Sequence, residues 1–77
     1  MKLDYIKKQR GLPFVKKGMK VELKYSDKIK VGIITGANEH GNLMVRFEGN
    51  KHSDNVHPTW AITYFDESGN IIQSFAE

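Results

Sequence analysis

The chain has 77 residues, 39% hydrophobic and 27% charged, with a formal net charge of +3 and no cysteine. That length makes one domain. The missing cysteines exclude disulfide staples and thiolate metal sites and fit a reducing, cytoplasmic setting. The N-terminal stretch MKLDYIKKQRGLPF lacks the apolar core of a secretory signal, and no run approaches the ~18 apolar residues of a membrane-spanning helix.

Residues 1–18 read as a basic arm. Lys7, Lys8 and Arg10 follow the apolar pair Tyr5 and Ile6, and a short helix or strand over 3–9 fits equally. Gly11-Leu12-Pro13 ends any helix there, because proline lacks the N–H and restrains its predecessor. Residues 19–75 read as a β-domain. In the first strand, 19–25, Met19, Val21, Leu23 and Tyr25 share one face and Lys20, Glu22 and Lys24 the other. The second strand, 29–36, places Val31, Ile33 and Thr35 on its inward face, with Gly32 and Gly36 allowing the coiling that closes a small barrel. A polar turn over 37–42 leads to the third strand, 42–48, with Leu43, Val45 and Phe47 inward and Met44 and Arg46 outward.

A polar loop over 49–55 follows, then the segment His57-Pro58-Thr59-Trp60. The fourth strand, 60–65, turns Trp60, Ile62 and Tyr64 to one face and Ala61, Thr63 and Phe65 to the other. A turn over 66–70 leads to a short last strand, 71–75. Five short antiparallel strands with coiling glycines predict an all-β fold, a small closed or half-open barrel. A twisted meander that dimerises over its open face is the alternative, so a monomer or a weak homodimer is expected, with Met44 and Phe65 as exposed apolar groups.

The pattern VKKGMKVELK, KVGIITGA, NLMVRFEG resembles SH3-like barrels of the KOW or Tudor type, over roughly residues 15–65. A narrower resemblance is to small proteins of bacteriophages and other mobile elements, carried by Y-I-K-K at 5–8, G-L-P at 11–13, K-K-G at 16–18 and H-P-T-W at 57–60. It implies an origin, not an activity. The plasmid-type dihydrofolate reductases share the size and the barrel, but their V-Q-I-Y motif has no counterpart here, so that activity is not carried over.

Residues 1–38 carry nine Lys and one Arg against Asp4, Glu22 and Asp27, a net +7, whereas residues 39–77 carry Arg46 and Lys51 against six acids, a net −4. Nucleic-acid contact through Lys7, Lys8, Arg10, Lys16, Lys17, Lys20 and Lys24 is the leading expectation, since several cations on one face release condensed counterions from phosphates. Tyr5, Phe14, Tyr25 and Trp60 offer stacking surfaces. The same lysines also suit solvated strands guarded against edge pairing.

His57 and Trp60 mark a second candidate, an interaction corner. It reads first as structure, with Trp60 plugging the barrel mouth and the imidazole bonding a loop carbonyl. A protein partner would use the face around Trp60, Phe65 and the 49–55 loop. His40, His52, Asp54 and His57 match no metal-ligand spacing. No nucleophile elbow, paired-carboxylate motif or phosphate-cradling glycine loop appears, so a non-enzymatic binding module without a cofactor is expected.

Overall fold

The computed structural model describes residues 2–76, with the side chains of Lys2 and Tyr25 outside that description. Among the described residues one helix, α1 (Lys2–Gln9), precedes six strands: β1 (Lys20–Tyr25), β2 (Lys28–Ala37), β3 (Leu43–Phe47), β4 (Asp54–Val56), β5 (Ile62–Phe65) and β6 (Ile71–Ser74). The strands form one antiparallel sheet in the order β4-β3-β2-β1-β5-β6. The sheet is open, with β4 and β6 as its edges. The all-β class holds, and the strand count is six, not five. The additional strand is β4, which lies largely within the expected 49–55 loop and pairs Asp54 and Val56 with Val45 and Leu43.

The N-terminal segment is part of the core. Asp4 in the first turn of α1 and Lys7 and Lys8 in the last complement the helix dipole. Gly11, at φ 66°, ends the helix in the left-handed conformation, and the Leu12 N–H returns to the Lys7 carbonyl at 3.1 Å. That reversal carries Leu12 and Val15 inward beside Ile6, and all three are buried. The cations of α1 therefore ride on a docked helix.

In β1 the expected alternation holds, with Met19, Val21 and Leu23 buried. In β2 the inward face differs from the expected one. Ile34 is fully buried, whereas Ile33 is 42% exposed and Val31 half-buried. Register explains the inversion. Gly32 lies opposite Phe47 and Ile34 opposite Val45, and directly paired residues share a face. The buried side chains of β3 thus place Gly32 and Ile34 inward. A Cβ at Gly32 would stand 2.6 Å from Val45 Cγ1 and 3.0 Å from the Arg46 carbonyl oxygen, so only glycine permits this approach. Gly36 has nothing within 4 Å of a Cβ. It follows a bulge at Thr35, whose hydroxyl reaches the Met44 carbonyl at 3.2 Å and the Ser53 hydroxyl at 2.6 Å.

Tyr64 of β5 is fully buried. Its ring meets Phe14 edge-on at 5.1 Å and Phe75 at 6.4 Å, and its hydroxyl donates to the Pro58 carbonyl at 2.5 Å. Burial pushes the phenol well above its usual pKa.

Two outcomes follow for stability. Gly32→Ala should cost about 1–3 kcal/mol through overpacking against backbone, while Gly36→Ala should stay within about 1 kcal/mol of the parent; paired urea titrations measure the contrast. Because the Tyr64 phenol is raised in the folded state, its stabilising contribution is complete below the unfolded tyrosine pKa of about 10 and is lost as pH rises beyond it. Tyr64→Phe should lower stability at neutral pH by about 1–2 kcal/mol and flatten the alkaline limb of a melting-temperature profile.

Candidate nucleic-acid interface

The expected basic residues divide into two groups. Lys16, Lys17 and Lys20 line one groove, together with Phe14, Phe65 and Ile72, between the 14–20 segment and the β5–β6 turn. Two hydrogen bonds set this geometry. The Gly18 N–H donates to the Ile34 carbonyl at 2.8 Å and the Ile34 N–H to the Met19 carbonyl at 2.9 Å, fixing the path into β1. The pairing of β1 with β5 then brings Phe65 to the side of Lys20, whose Nζ stands 4.8 Å from the ring centroid. This is a cation–π contact.

Acidic groups enter the same groove. Lys16 Nζ donates to Glu67 Oε1 at 2.9 Å, and that bond and charge hold the Glu67 carboxyl below its usual pKa. Asp66 Oδ1 accepts the N–H groups of Ser68 and Asn70, each at 2.9 Å. Hydrogen bonding from Asn70, foremost, and from Ser68 holds its carboxyl low as well. Both acids are solvent-exposed. Asp66 organises the hairpin turn, and Glu67 partly neutralises Lys16.

Lys7, Lys8 and Arg10 belong to the second group, on and just after α1. Lys7 Nζ lies 3.9 Å from Asp4 Oδ1. Tyr5, 55% exposed, lies over Gly41 of the β2–β3 turn, and the Arg10 guanidinium approaches the same glycine. Here the missing side chain of Gly41 lets an aromatic and a cation rest on a turn. Lys24 is exposed on the outer face of β1, opposite Ile29 and on the same side as Lys20 and Glu22.

At the 57–60 corner Pro58 is buried and His57 exposed. His57 Nδ1 accepts the Thr59 N–H at 3.1 Å, so the imidazole closes a local turn through an amide, not through a carbonyl. Trp60 does not plug the interior and is 47% exposed. The cause is Ala61, buried at φ 55°, with its N–H bonded to the Ala76 carbonyl and its carbonyl accepting the Lys24 N–H. This left-handed residue breaks the strand alternation that would have carried Trp60 inward. Met44 and Phe65 are half-buried.

Among the described residues, no three His, Asp or Glu side chains converge to hold a metal ion, and no helix is long and apolar enough to cross a membrane. Asp66, Glu67 and Ile72 were missed as members of the groove; the turn chemistry of 66–70 is visible in the sequence, but its placement beside residues 14–20 is not. The fold and the groove define an all-β domain with a mixed, cation-rich groove at one end of an open sheet. Comparison with protein-family models, curated proteins and solved structures finds no match to this chain.

A titration tests the groove. Both carboxyls are depressed in the folded state, so their contribution is present at neutral pH and is lost as pH falls through their lowered pKa values. The Ser68 and Asn70 amide resonances, together with the Lys16 side-chain signals, should shift with a midpoint below that of a free carboxylate as pH falls.

Proposed function

We propose that this chain is a non-enzymatic binding module on an SH3-like barrel, contacting single-stranded nucleic acid through the groove of Lys16, Lys17 and Lys20. The single observation that carries this reading is the convergence of those three lysines with Phe14 and Phe65 along one groove. Phosphates are met by the cations and bases by the aromatic faces. Lys24 adds a cation on the same face of β1 beyond Glu22, and Lys7, Lys8 and Arg10 with Tyr5 form a secondary contact on and just after α1. Support for the SH3-like reading comes from the strand order β4-β3-β2-β1-β5-β6, in which a β1–β4 meander is followed by β5 returning beside β1. The motifs at 5–8, 11–13, 16–18 and 57–60 support an origin in phages or mobile elements. A protein-interaction adaptor is the second reading, favoured by the exposure of Trp60.

Fluorescence anisotropy with labelled single strands tests the first reading. Binding at low salt should weaken as salt rises, and Lys17→Gln with Lys20→Gln should flatten the salt slope by roughly 1.4, about 0.7 per cation on a single strand. Glu67→Gln should tighten binding by freeing Lys16. Lys30→Gln, which removes a cation near the Phe47 ring, should have little effect. Absence of binding at low salt, or binding insensitive to salt, overturns the reading. Trp60→Ala should leave this binding intact and abolish capture of a protein partner under the adaptor reading.

A further inference from the structure

The two edges of the sheet are unlike. β4 is three residues long, carries Asp54, and is followed two residues later by the buried Pro58. Short length, a charge and a nearby proline are the usual guards of an edge. At the other edge, β6 and its flanks run Asn70-Ile71-Ile72-Gln73-Ser74-Phe75-Ala76 with neither a charge nor a proline. All four residues of β6 are exposed, Ile71 to 65%. The Phe75 N–H donates to the Ile62 carbonyl at 2.8 Å, and Tyr64 lies opposite Gln73. Backbone groups alternate in direction along an antiparallel strand, so the N–H and C=O of Ser74 face the open edge.

We propose that β6 pairs antiparallel with β6 of a second copy of this chain, joining two sheets across a two-fold axis. The strand's chemistry selects this occupant. An open backbone edge takes an extended segment, and an uncharged edge bearing Ile71 favours one that is also uncharged and apolar. β6 itself is such a segment. Antiparallel self-pairing keeps the two Asp66–Glu67 turns apart, because the turn of each copy lies at the end of β6 opposite the partner's own. Self-pairing through β4 would instead bring two Asp54 side chains to one seam. The contact is also limited in size. A four-residue strand falls below the roughly 1,600 Å² of a standard interface, so the dimer is concentration-dependent. Ile72 lines the basic groove as well, so the pairing sets two grooves side by side.

Sedimentation equilibrium of the full chain, free of nucleic acid, from about 10 µM to about 1 mM tests the proposal across millimolar-to-micromolar affinities. The expected result is a monomer–dimer equilibrium, with Ser74 amide exchange slowing as concentration rises. Ile71→Lys should shift the dissociation constant at least tenfold, and so should Ser74→Pro, which removes the outward N–H together with the hydroxyl contact from Ser74 to Thr63. Circular dichroism should show both variants folded. Ile33→Gln, on the outer sheet face, should leave the dimer intact. A monomer throughout the range overturns the proposal. So does a dimer that survives both β6 variants, or one lost only with Ile33→Gln.

Discussion

Tyr64 is the point on which this small structure depends. Three separate segments reach its ring and hydroxyl: Phe14 before the first strand, Pro58 at the corner and Phe75 after the last strand. A fully buried phenol needs a partner for its O–H, since an unsatisfied hydroxyl in the interior costs about 1–3 kcal/mol. The Pro58 carbonyl satisfies it. Phe14 lies directly before the groove lysines and Ile72 shortly before Phe75, so the same contacts hold both walls of the basic groove. The groove is thus a consequence of core packing and does not depend on a flexible basic tail.

Gly32 imposes the second constraint. With no Cβ, it lets β3 press onto β2 while Val45 and Phe47 fill the interior. Its inward position forces Ile33 and Val31 outward, between Lys20 and Glu22 of β1 and Arg46 of β3. The outer sheet face is therefore more apolar than a simple alternation of polar and apolar residues would make it. A domain of 77 residues has little interior in which to hide every apolar side chain. The remainder falls on the outer face, at Trp60 and along β6.

The clean strand of residues 19–25 was legible because every second residue is apolar, and the third strand was legible for the same reason. The second strand was not, because Ile33 and Ile34 are adjacent and hydropathy alone cannot choose between them. Register against Val45 and Phe47 made the choice. The fourth strand held from Ile62 onward and failed at its first two residues, where the left-handed Ala61 is buried and Trp60 is exposed. Alanine carries no sequence signal for that conformation. Of the candidate cations, Lys16, Lys17 and Lys20 come together because the Gly18–Ile34 and β1–β5 pairings bring them there. Lys7, Lys8 and Arg10 follow α1, whose docking was hidden by the lysines surrounding Ile6.

The sequence by itself determined the all-β class, the turns, the inward faces of the first and third strands and the excess of cations in the first half, since these follow from local periodicity, turn chemistry and composition. Only the tertiary structure decided which cations share a groove, that Asp66 and Glu67 share it with them, that Trp60 faces solvent and that β6 is an unguarded edge. Each of these depends on which strand lies beside which, and strand pairing is set by contacts between residues far apart in the chain.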